Sequence, residues 1–401
     1  MNNEKKINSM TYNMILLTII LLVFYAPNIG NRDYIGIIIV YLFAVLFSLV
    51  SKIQLDKIVL SIILYTSVIV IIDLINMFIY SSSILYMVRI FIYALIPILS
   101  YLVGKFLSTK IDIIFLNKSI LFIGVIQALF GILQVYSDKF RFFSLTNYAN
   151  FEKYNYGFEN WAVGRVVGTI GNPNTYGIFM AVIILFMINI IIPQDQKNKN
   201  RVSIKISFIL CVYAVILSQS RTAYLLLTFG IILSILLRRK NKLRNILAML
   251  LMILIFIVVF INVPFLLKRF SIDSILSFGN RLPIWKTYIN EYLNPLNFKF
   301  IIGYGSNYIK DINQSVDNYY LQIILQYGII GLLDYCIMIF TIFKSFTKIN
   351  NINIKNFLFI AYLIVLISDF LGTINQHVDF TILMFLIFGY YNNHTKQLRK
   401  C

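Results

Sequence analysis

Long, nearly uninterrupted apolar stretches constrain this chain more than any other feature. Segments 58–80, 174–192 and 246–263 are predominantly hydrophobic, and each approaches or reaches the roughly 20 residues that a helix needs to cross about 30 Å of hydrocarbon. Of the 401 residues, 59% are hydrophobic and 13% are charged, whereas soluble domains are about 25% charged. A water-soluble fold has no place to bury so much apolar surface. The sequence therefore predicts an all-α polytopic membrane protein.

About twelve transmembrane helices are predicted from the apolar pattern. They lie near 12–27, 34–50, 58–79, 84–103, 114–136, 172–193, 203–219, 222–237, 246–263, 318–343, 357–374 and 379–391. We find no internal repeat and no segment large enough for a separate soluble domain, so residues 1–401 are expected to form one integral membrane domain. Two long loops, 137–170 and 264–317, contain both tryptophans. Loops of this length are uncommon unless they are functional or disordered, and their aromatic content favours order at the membrane surface.

The basic residues predict the orientation of the chain. The net charge of +19 could indicate nucleic acid as a partner, but the charges form short clusters between apolar runs. Such juxtamembrane clusters are typical of cytoplasmic loops and of contacts with anionic lipid head groups. With the N-terminus inside, 22 of the 35 basic residues fall on the cytoplasmic side. Both termini are therefore predicted to be cytoplasmic, and both long loops extracytoplasmic, with membrane lipids and no nucleic acid as partners.

The first polar motif, GRVVGTIGNPN at 164–174, ends the first long loop and begins a predicted span. Asn172 suits a helix N-cap, and the proline after it suits the first helical position. A helix start offers free N–H groups and a positive dipole end to an anion, and Arg165 would add a bidentate donor. Asn172 and Asn174 are thus substrate-binding candidates. A plain helix cap beside an interfacial arginine remains the alternative.

The second motif, SQSRTA at 218–223, separates two apolar runs. A charge within a membrane domain is costly and by default indicates a functional site. Arg221 therefore either binds an anion or extends its side chain to the membrane interface.

The third motif comprises NRLPIW at 280–285, GYGS at 303–306 and DNYYLQ at 317–322. It supplies Arg281 and Trp285 as further candidates. Asn318, Gln322 and Gln326 recur every four residues, so they share one helix face, which on a membrane helix should point into the bundle or a wet cavity. Asp317 is interpreted either as an N-cap or as a general base at the mouth of that cavity.

A last candidate lies in the short loop before the final span. His377 and Asp379 place an imidazole near a carboxylate, and His377 is the second choice for a base, although a plain surface histidine is the simpler reading. The sequence contains no Walker A motif, HExxH, nucleophile elbow or Cys/His cluster. We therefore expect no metal and no cofactor.

In this order, the motifs resemble the O-antigen polymerase (Wzy-type) and O-antigen ligase superfamily of bacterial envelope polysaccharide enzymes. GTIGNPNTYG, SQSRTAYL, NRLPIW, IIGYGS and DNYYLQIILQYGIIGLL carry the resemblance, within about 164–333. It implies a GT-C-like fold and a metal-independent glycosyltransferase acting on glycans linked to undecaprenyl diphosphate. It also implies that Arg221 and Arg281, together with Arg165, engage the lipid diphosphate. The ligase branch has a histidine at the position of Asp317, and this difference favours a polymerase.

The expected function is thus repeat-unit polymerisation of O-antigen or capsule at the outer face of the bacterial cytoplasmic membrane. Lipid-linked oligosaccharides would be both donor and acceptor, with flippase and chain-length regulator proteins as partners. A ligase that transfers finished glycan is the alternative within the family. A lipid-linked oligosaccharide flippase is the alternative from another class, although transporters often have repeated halves.

Overall fold

The computed structural model describes residues 2–25, 42–43, 56–80, 84–149, 164–194, 201–237, 281–292, 298–305, 316–372 and 377–397. Within these ranges every regular element is helical and no strand occurs. The helices are α1 (Asn2–Tyr25), α2 (Lys57–Tyr80), α3 (Ile84–Leu107), α4 (Ile113–Tyr136), α5 (Asp138–Tyr148), α6 (Pro173–Phe186), α7 (Arg201–Ser218), α8 (Arg221–Leu236), α9 (Arg281–Tyr292), α10 (Phe298–Ile302), α11 (Tyr319–Phe346), α12 (Ile352–Phe370) and α13 (Val378–Gln397). A π-helical turn, Met187–Ile191, and a short α-helical segment, Ile192–Gln194, extend α6.

Among the described residues the architecture is all-helical, as predicted, and its long apolar helices are those of a multi-pass membrane protein. Among the described residues five helices are long and apolar enough to cross a membrane: Lys57–Phe78, Ile113–Tyr136, Pro173–Gln194, Tyr319–Phe346 and Ile352–Phe370. Shorter apolar helices occupy four further predicted spans, and α13 overlaps the last one. Predicted spans 34–50, apart from residues 42 and 43, and 246–263 lie outside the described residues. The total of twelve spans therefore stays a prediction.

The centre of the bundle is α6, which is apolar on all sides and buried from its second turn to its end. A helix without a polar face is surrounded by other helices or by lipid, and α6 is surrounded by helices, since it packs against α4, α7, α8 and α12. Helices α3 and α13 form another close pair. A Cβ at Gly104 would lie 2.0 Å from the carbonyl oxygen of Leu386, and one at Gly389 would lie 2.1 Å from that of Tyr101. Small residues thus bring these two backbones into contact.

Helix α11 is broken by a sharp turn at Gly328, whose φ of 64° and ψ of −167° are not helical. In a straight helix, Tyr319 and Tyr335 would be about 24 Å apart along the axis. Their ring centroids are instead 5.6 Å apart. The first nine residues of α11 therefore fold back against the part that follows.

The loop around α10 binds the carbonyl groups that this turn frees. The Tyr304 N–H donates to the Leu325 carbonyl and the Gly305 N–H to the Gln326 carbonyl, both at 2.8 Å. Because backbone groups at membrane depth must be satisfied within the protein, these bonds stabilise the break. The segment 303–305, taken from the predicted second long loop, is consequently part of the packed bundle.

Candidate functional site

The motif at 164–174 forms a buried turn that leads into α6. The side chain of Asn172 accepts hydrogen bonds from the N–H groups of Asn174 (2.9 Å) and Thr175 (3.3 Å), and Pro173 is the first helical residue. The predicted cap is therefore confirmed. Because the cap already binds these two N–H groups, anion binding by Asn172 stays a prediction.

Two glutamines of α4 fix the buried turn, although neither belongs to a predicted polar motif. Gln134 accepts from the N–H groups of Val167 (3.0 Å) and Gly168 (3.1 Å) and donates to the Gly168 carbonyl (3.0 Å). Gln127 pairs in the same manner with the backbone N–H and the hydroxyl of Thr169. The available signal was their spacing of seven, which places two amides on one face of an apolar helix.

Arg165 joins the first motif to the second. Its Nη2 donates to Oδ1 of Asn174 at 2.6 Å, and its Nε donates to the Ser218 carbonyl at 3.4 Å. The helix start and the SQSRTA turn also pack tightly, since a Cβ at Gly177 would lie 2.6 Å from Oγ of Ser218. Two segments that are about 50 residues apart in sequence thus form one unit. We call this side of the bundle, where α6 begins and α7 ends, the outer end, following the charge-based prediction.

Arg221 begins α8, directly after the N-cap Ser220 and before the predicted span 222–237. Its side chain is half-buried. Burial, and after it the positive charge of Arg281, lower the pKa of the Arg221 guanidinium. The charge of Arg281, from the third motif, thus disfavours the charged form of Arg221, from the second.

Arg281 also forms an ion pair with Asp317, with 3.5 Å between Nε and Oδ2. Asp317 has a φ of 48°, in the left-handed region that Asp tolerates better than most residues. The N-cap of α11 is Asn318, which accepts from the N–H of Leu321 at 3.0 Å. The interpretation of Asp317 as the N-cap is therefore wrong. Its carboxylate, with 46% of the side chain exposed, pairs with Arg281 instead.

Trp285 fixes the separation of this ion pair. Its indole Nε1 donates to the Val316 carbonyl at 2.8 Å, and its ring packs edge-on against Phe370. Arg281 lies one helical turn before Trp285 in α9, and Asp317 directly follows Val316. Because the indole is buried in this contact, it positions the pair, while a direct substrate contact stays a prediction.

The predicted polar face of α11 is buried as expected. Asn318, Gln322 and Gln326 are each less than 10% exposed, and the Gln322 amide donates to Oε1 of Gln326 at 3.4 Å. Asn318 is engaged as the cap, so the two glutamines remain the candidates for substrate contact.

His377 lies just before α13, and its carbonyl accepts the N–H of Thr381 at 3.0 Å. Nearby Phe380 contacts Phe179 of α6 with 6.5 Å between ring centroids, which places the start of α13 beside the start of α6. Within the described part of the chain no group of three or more His, Cys, Asp or Glu side chains is arranged to hold a metal ion. Asn280 and Ser306 of the third motif lie outside the described residues.

One known family matches this chain. Residues 206–336, from α7 into α11, match the family described as O-Antigen ligase. The predicted resemblance is confirmed. The O-antigen ligase family match covers about a third of the sequence and includes Arg221, Arg281 and Asp317. The family implies a glycosyltransferase-like enzyme of the ligase or polymerase kind, and it gives no support to a flippase. No curated protein matches the sequence.

Proposed function

We propose that this protein polymerises lipid-linked glycan repeat units at the outer face of the cytoplasmic membrane. The observation that carries the proposal is the ion pair between Arg281 and Asp317, together with the effect of the positive charge of Arg281 on Arg221 at the start of α8. Arg221 and Arg281 are 60 positions apart in the sequence, and Arg281 and Asp317 are 36 positions apart. All three residues fall within the O-antigen ligase family match.

The arginine pair suits a diphosphate leaving group. When the bond between the anomeric carbon and the diphosphate breaks, the bonding electrons leave with the diphosphate, and negative charge develops on its oxygens. Guanidinium groups that are already in place stabilise that charge, and a partly buried site strengthens the interaction. The mutual repulsion of Arg221 and Arg281 is relieved by the same anion.

Asp317 completes the proposed reaction as the general base. A hydroxyl oxygen of the incoming repeat unit attacks the anomeric carbon of the growing chain, and Asp317 takes the hydroxyl proton. In the structure the carboxylate is paired with Arg281. A bound diphosphate competes for that arginine, so donor binding would release the carboxylate for proton transfer.

The choice of polymerase over ligase rests on Asp317, since the resemblance implies a histidine at this position in ligases. Transfer of finished glycan to another acceptor is the second candidate, since the family match is compatible with both activities. Flippase and chain-length regulator proteins are proposed as partners, and undecaprenyl diphosphate as the carrier. His377 is the proposed substitute base.

Deleting the gene and examining the surface polysaccharide on a gel separates the two candidates. A polymerase predicts that the final acceptor carries a single repeat unit after deletion. A ligase predicts that polymer of normal length accumulates on the lipid carrier and is not transferred. Both functions would be refuted if the deletion strain made wild-type polysaccharide and if restoring the gene changed nothing.

A further inference from the structure

Asp334 is a buried carboxyl group in the part of α11 that follows the turn at Gly328. It lies six residues after Gly328 and twelve residues before the end of the helix at Phe346, which correspond to about 9 Å and about 18 Å along the axis. The residue is 5% exposed, and among the described residues neither carboxyl oxygen has a hydrogen-bond partner. An ionisable side chain inside a membrane domain is costly and by default indicates a functional site.

The neighbours of Asp334 on α11 offer its carboxyl group no polar contact. The residues three and four positions away are Ile330, Gly331, Ile337 and Met338. Successive residues are about 100° apart around a helix, so Met338 lies to one side of Asp334, and it is 5% exposed. Ile330 and Ile337 lie to the other side and are 42% and 55% exposed. The carboxyl group therefore lies where the bundle-facing side of α11 meets its lipid-facing side.

The helices packed against α11 do not supply a partner either. In the described ranges α2, α10 and α12 make its main contacts, and their charged side chains are those of Lys57, Asp73, Lys299, Lys355 and Asp369. None of these groups, and no tyrosine hydroxyl in the described part of the chain, forms a hydrogen bond with Asp334. Because a buried charge without a partner is far costlier than the neutral acid, these surroundings favour the protonated carboxyl group.

A proton gives this side chain a hydrogen bond that the carboxylate cannot form. A carboxylate only accepts, and the N–H groups inside a helix already donate to the helix's own carbonyl groups. Those carbonyl groups keep a second lone pair. Three amides of this chain use it, since Asn76, Asn147 and Asn189 each donate to the carbonyl four residues earlier, at 3.0, 2.7 and 2.9 Å. Asparagine has the shape of protonated aspartic acid, so the O–H of Asp334 can donate to the Ile330 carbonyl in the same way.

We propose that Asp334 is a proton-binding site within the membrane domain and that it remains a neutral acid at neutral pH. The bound proton protects a contact that shapes α11. The next residue, Tyr335, packs against Tyr319, with 5.6 Å between ring centroids, and against Tyr65 of α2, with 5.5 Å. Loss of the proton places an unpaired charge beside this contact, so α11 loosens. The inference does not depend on the proposed function, because none of these residues takes part in it.

A hydrophobic carbodiimide reports the proton directly. The reagent dissolves in the bilayer, which reaches α11 beside Asp334, and its reaction consumes the carboxyl proton. The carboxyl oxygen bonds to the central carbon of the reagent, one C=N bond becomes a single bond, and the proton passes to that nitrogen. The acyl group then shifts from oxygen to nitrogen, and the stable adduct retains every atom of the acid and of the reagent.

The experiment treats the full-length protein in phosphatidylcholine nanodiscs with dicyclohexylcarbodiimide and quantifies the peptide that contains Asp334 by mass spectrometry. We expect an adduct at neutral pH whose yield falls severalfold as the pH is raised, because the carboxylate does not react. Asp138 is the matched control, since its side chain is 88% exposed and pairs with Arg141. It should form no adduct with the hydrophobic reagent, and a water-soluble carbodiimide should give the reverse pattern.

The substitution Asp334→Asn measures what the proton contributes to the fold. The amide retains the bond to the Ile330 carbonyl but has no proton to lose. In the wild type the folded state holds the proton more tightly than the unfolded state does, so the midpoint of thermal unfolding falls as the pH rises. The midpoint of the Asp334→Asn protein should fall less over the same range, and this variant should form no adduct at position 334.

Four results would overturn the proton site. Two concern the wild-type adduct, which must form at Asp334 and must depend on pH. The third is protection from the reagent by sodium ions, which would show that the group is a carboxylate that binds a metal cation. The fourth is an equal fall of the unfolding midpoint in the wild type and in Asp334→Asn.

Discussion

Nε of Arg281 lies 3.5 Å from Oδ2 of Asp317, although 36 positions separate the two residues in the sequence. The pair links the start of α9 to the residue before the α11 cap. It connects the cation expected to hold the leaving group with the carboxylate expected to take the proton. Binding and proton transfer are therefore coupled through one contact in this account.

Replacing Asp317 by Asn tests the base. The amide retains the size of the side chain and removes its proton affinity, so we expect turnover to fall by about a hundredfold or more. Binding of undecaprenyl diphosphate should persist, because Arg281 no longer has a competing carboxylate. Turnover is measured as chain elongation by membranes that contain equal amounts of each variant. If the Asp317→Asn protein kept wild-type turnover and the His377→Ala protein lost it, His377 would be the general base instead of Asp317.

Trp285→Phe tests the positioning of the ion pair. Phenylalanine retains an aromatic ring against Phe370 but cannot donate to the Val316 carbonyl. Loss of one buried hydrogen bond costs on the order of 1 kcal/mol. We expect a roughly tenfold fall in turnover from displacement of Asp317, with little change in expression. An unchanged rate would show that the indole only packs.

Gln134→Leu tests the support of the first motif. The change leaves the N–H groups of Val167 and Gly168 without their acceptor, and unsatisfied buried groups cost about 1–3 kcal/mol each. We expect a destabilisation of ~2–6 kcal/mol, visible as a lower midpoint of thermal unfolding in detergent. Asn147→Ala is the control, because that amide makes one exposed bond to the Phe143 carbonyl. Equal midpoints for the two variants would contradict the assigned role.

Gly328→Ala tests the break in α11. An alanine Cβ would lie 2.1 Å from the Ile301 carbonyl oxygen, and φ at this position is 64°. A left-handed conformation alone costs a non-glycine residue roughly 1–2 kcal/mol, and the clash adds to it. We expect strongly reduced yield of folded protein on size-exclusion chromatography. Gly372→Ala, where the nearest atom is 3.6 Å away, should behave as the wild type.

Much of the helical framework could be predicted from the sequence. Apolar runs of membrane-spanning length specify helices by themselves, because the bilayer leaves few alternatives to the backbone. The cap at Asn172 could likewise be predicted, since it depends on residues next to each other in sequence. The helix boundaries inside the two long loops could not be predicted, because α5, α9 and α10 depend on tertiary packing.

The arrangement of the candidate site could be predicted only in part. Asp317, Arg281 and Arg221 were identified by residue type and resemblance, but their approach depends on how Trp285 docks on Val316. No local pattern encodes that contact. The turn at Gly328 cannot be predicted from local pattern either, although a run of 28 residues is longer than a single crossing of the membrane requires.

The chain length of surface polysaccharide made by an Arg281→Ala strain tests the central claim most directly. Lys286→Ala, an exposed cation on the same helix, is the matched control, and both proteins must reach wild-type levels in the membrane. We predict a single repeat unit on the acceptor for Arg281→Ala and the normal ladder of lengths for Lys286→Ala. A normal ladder from the Arg281→Ala strain would contradict the account.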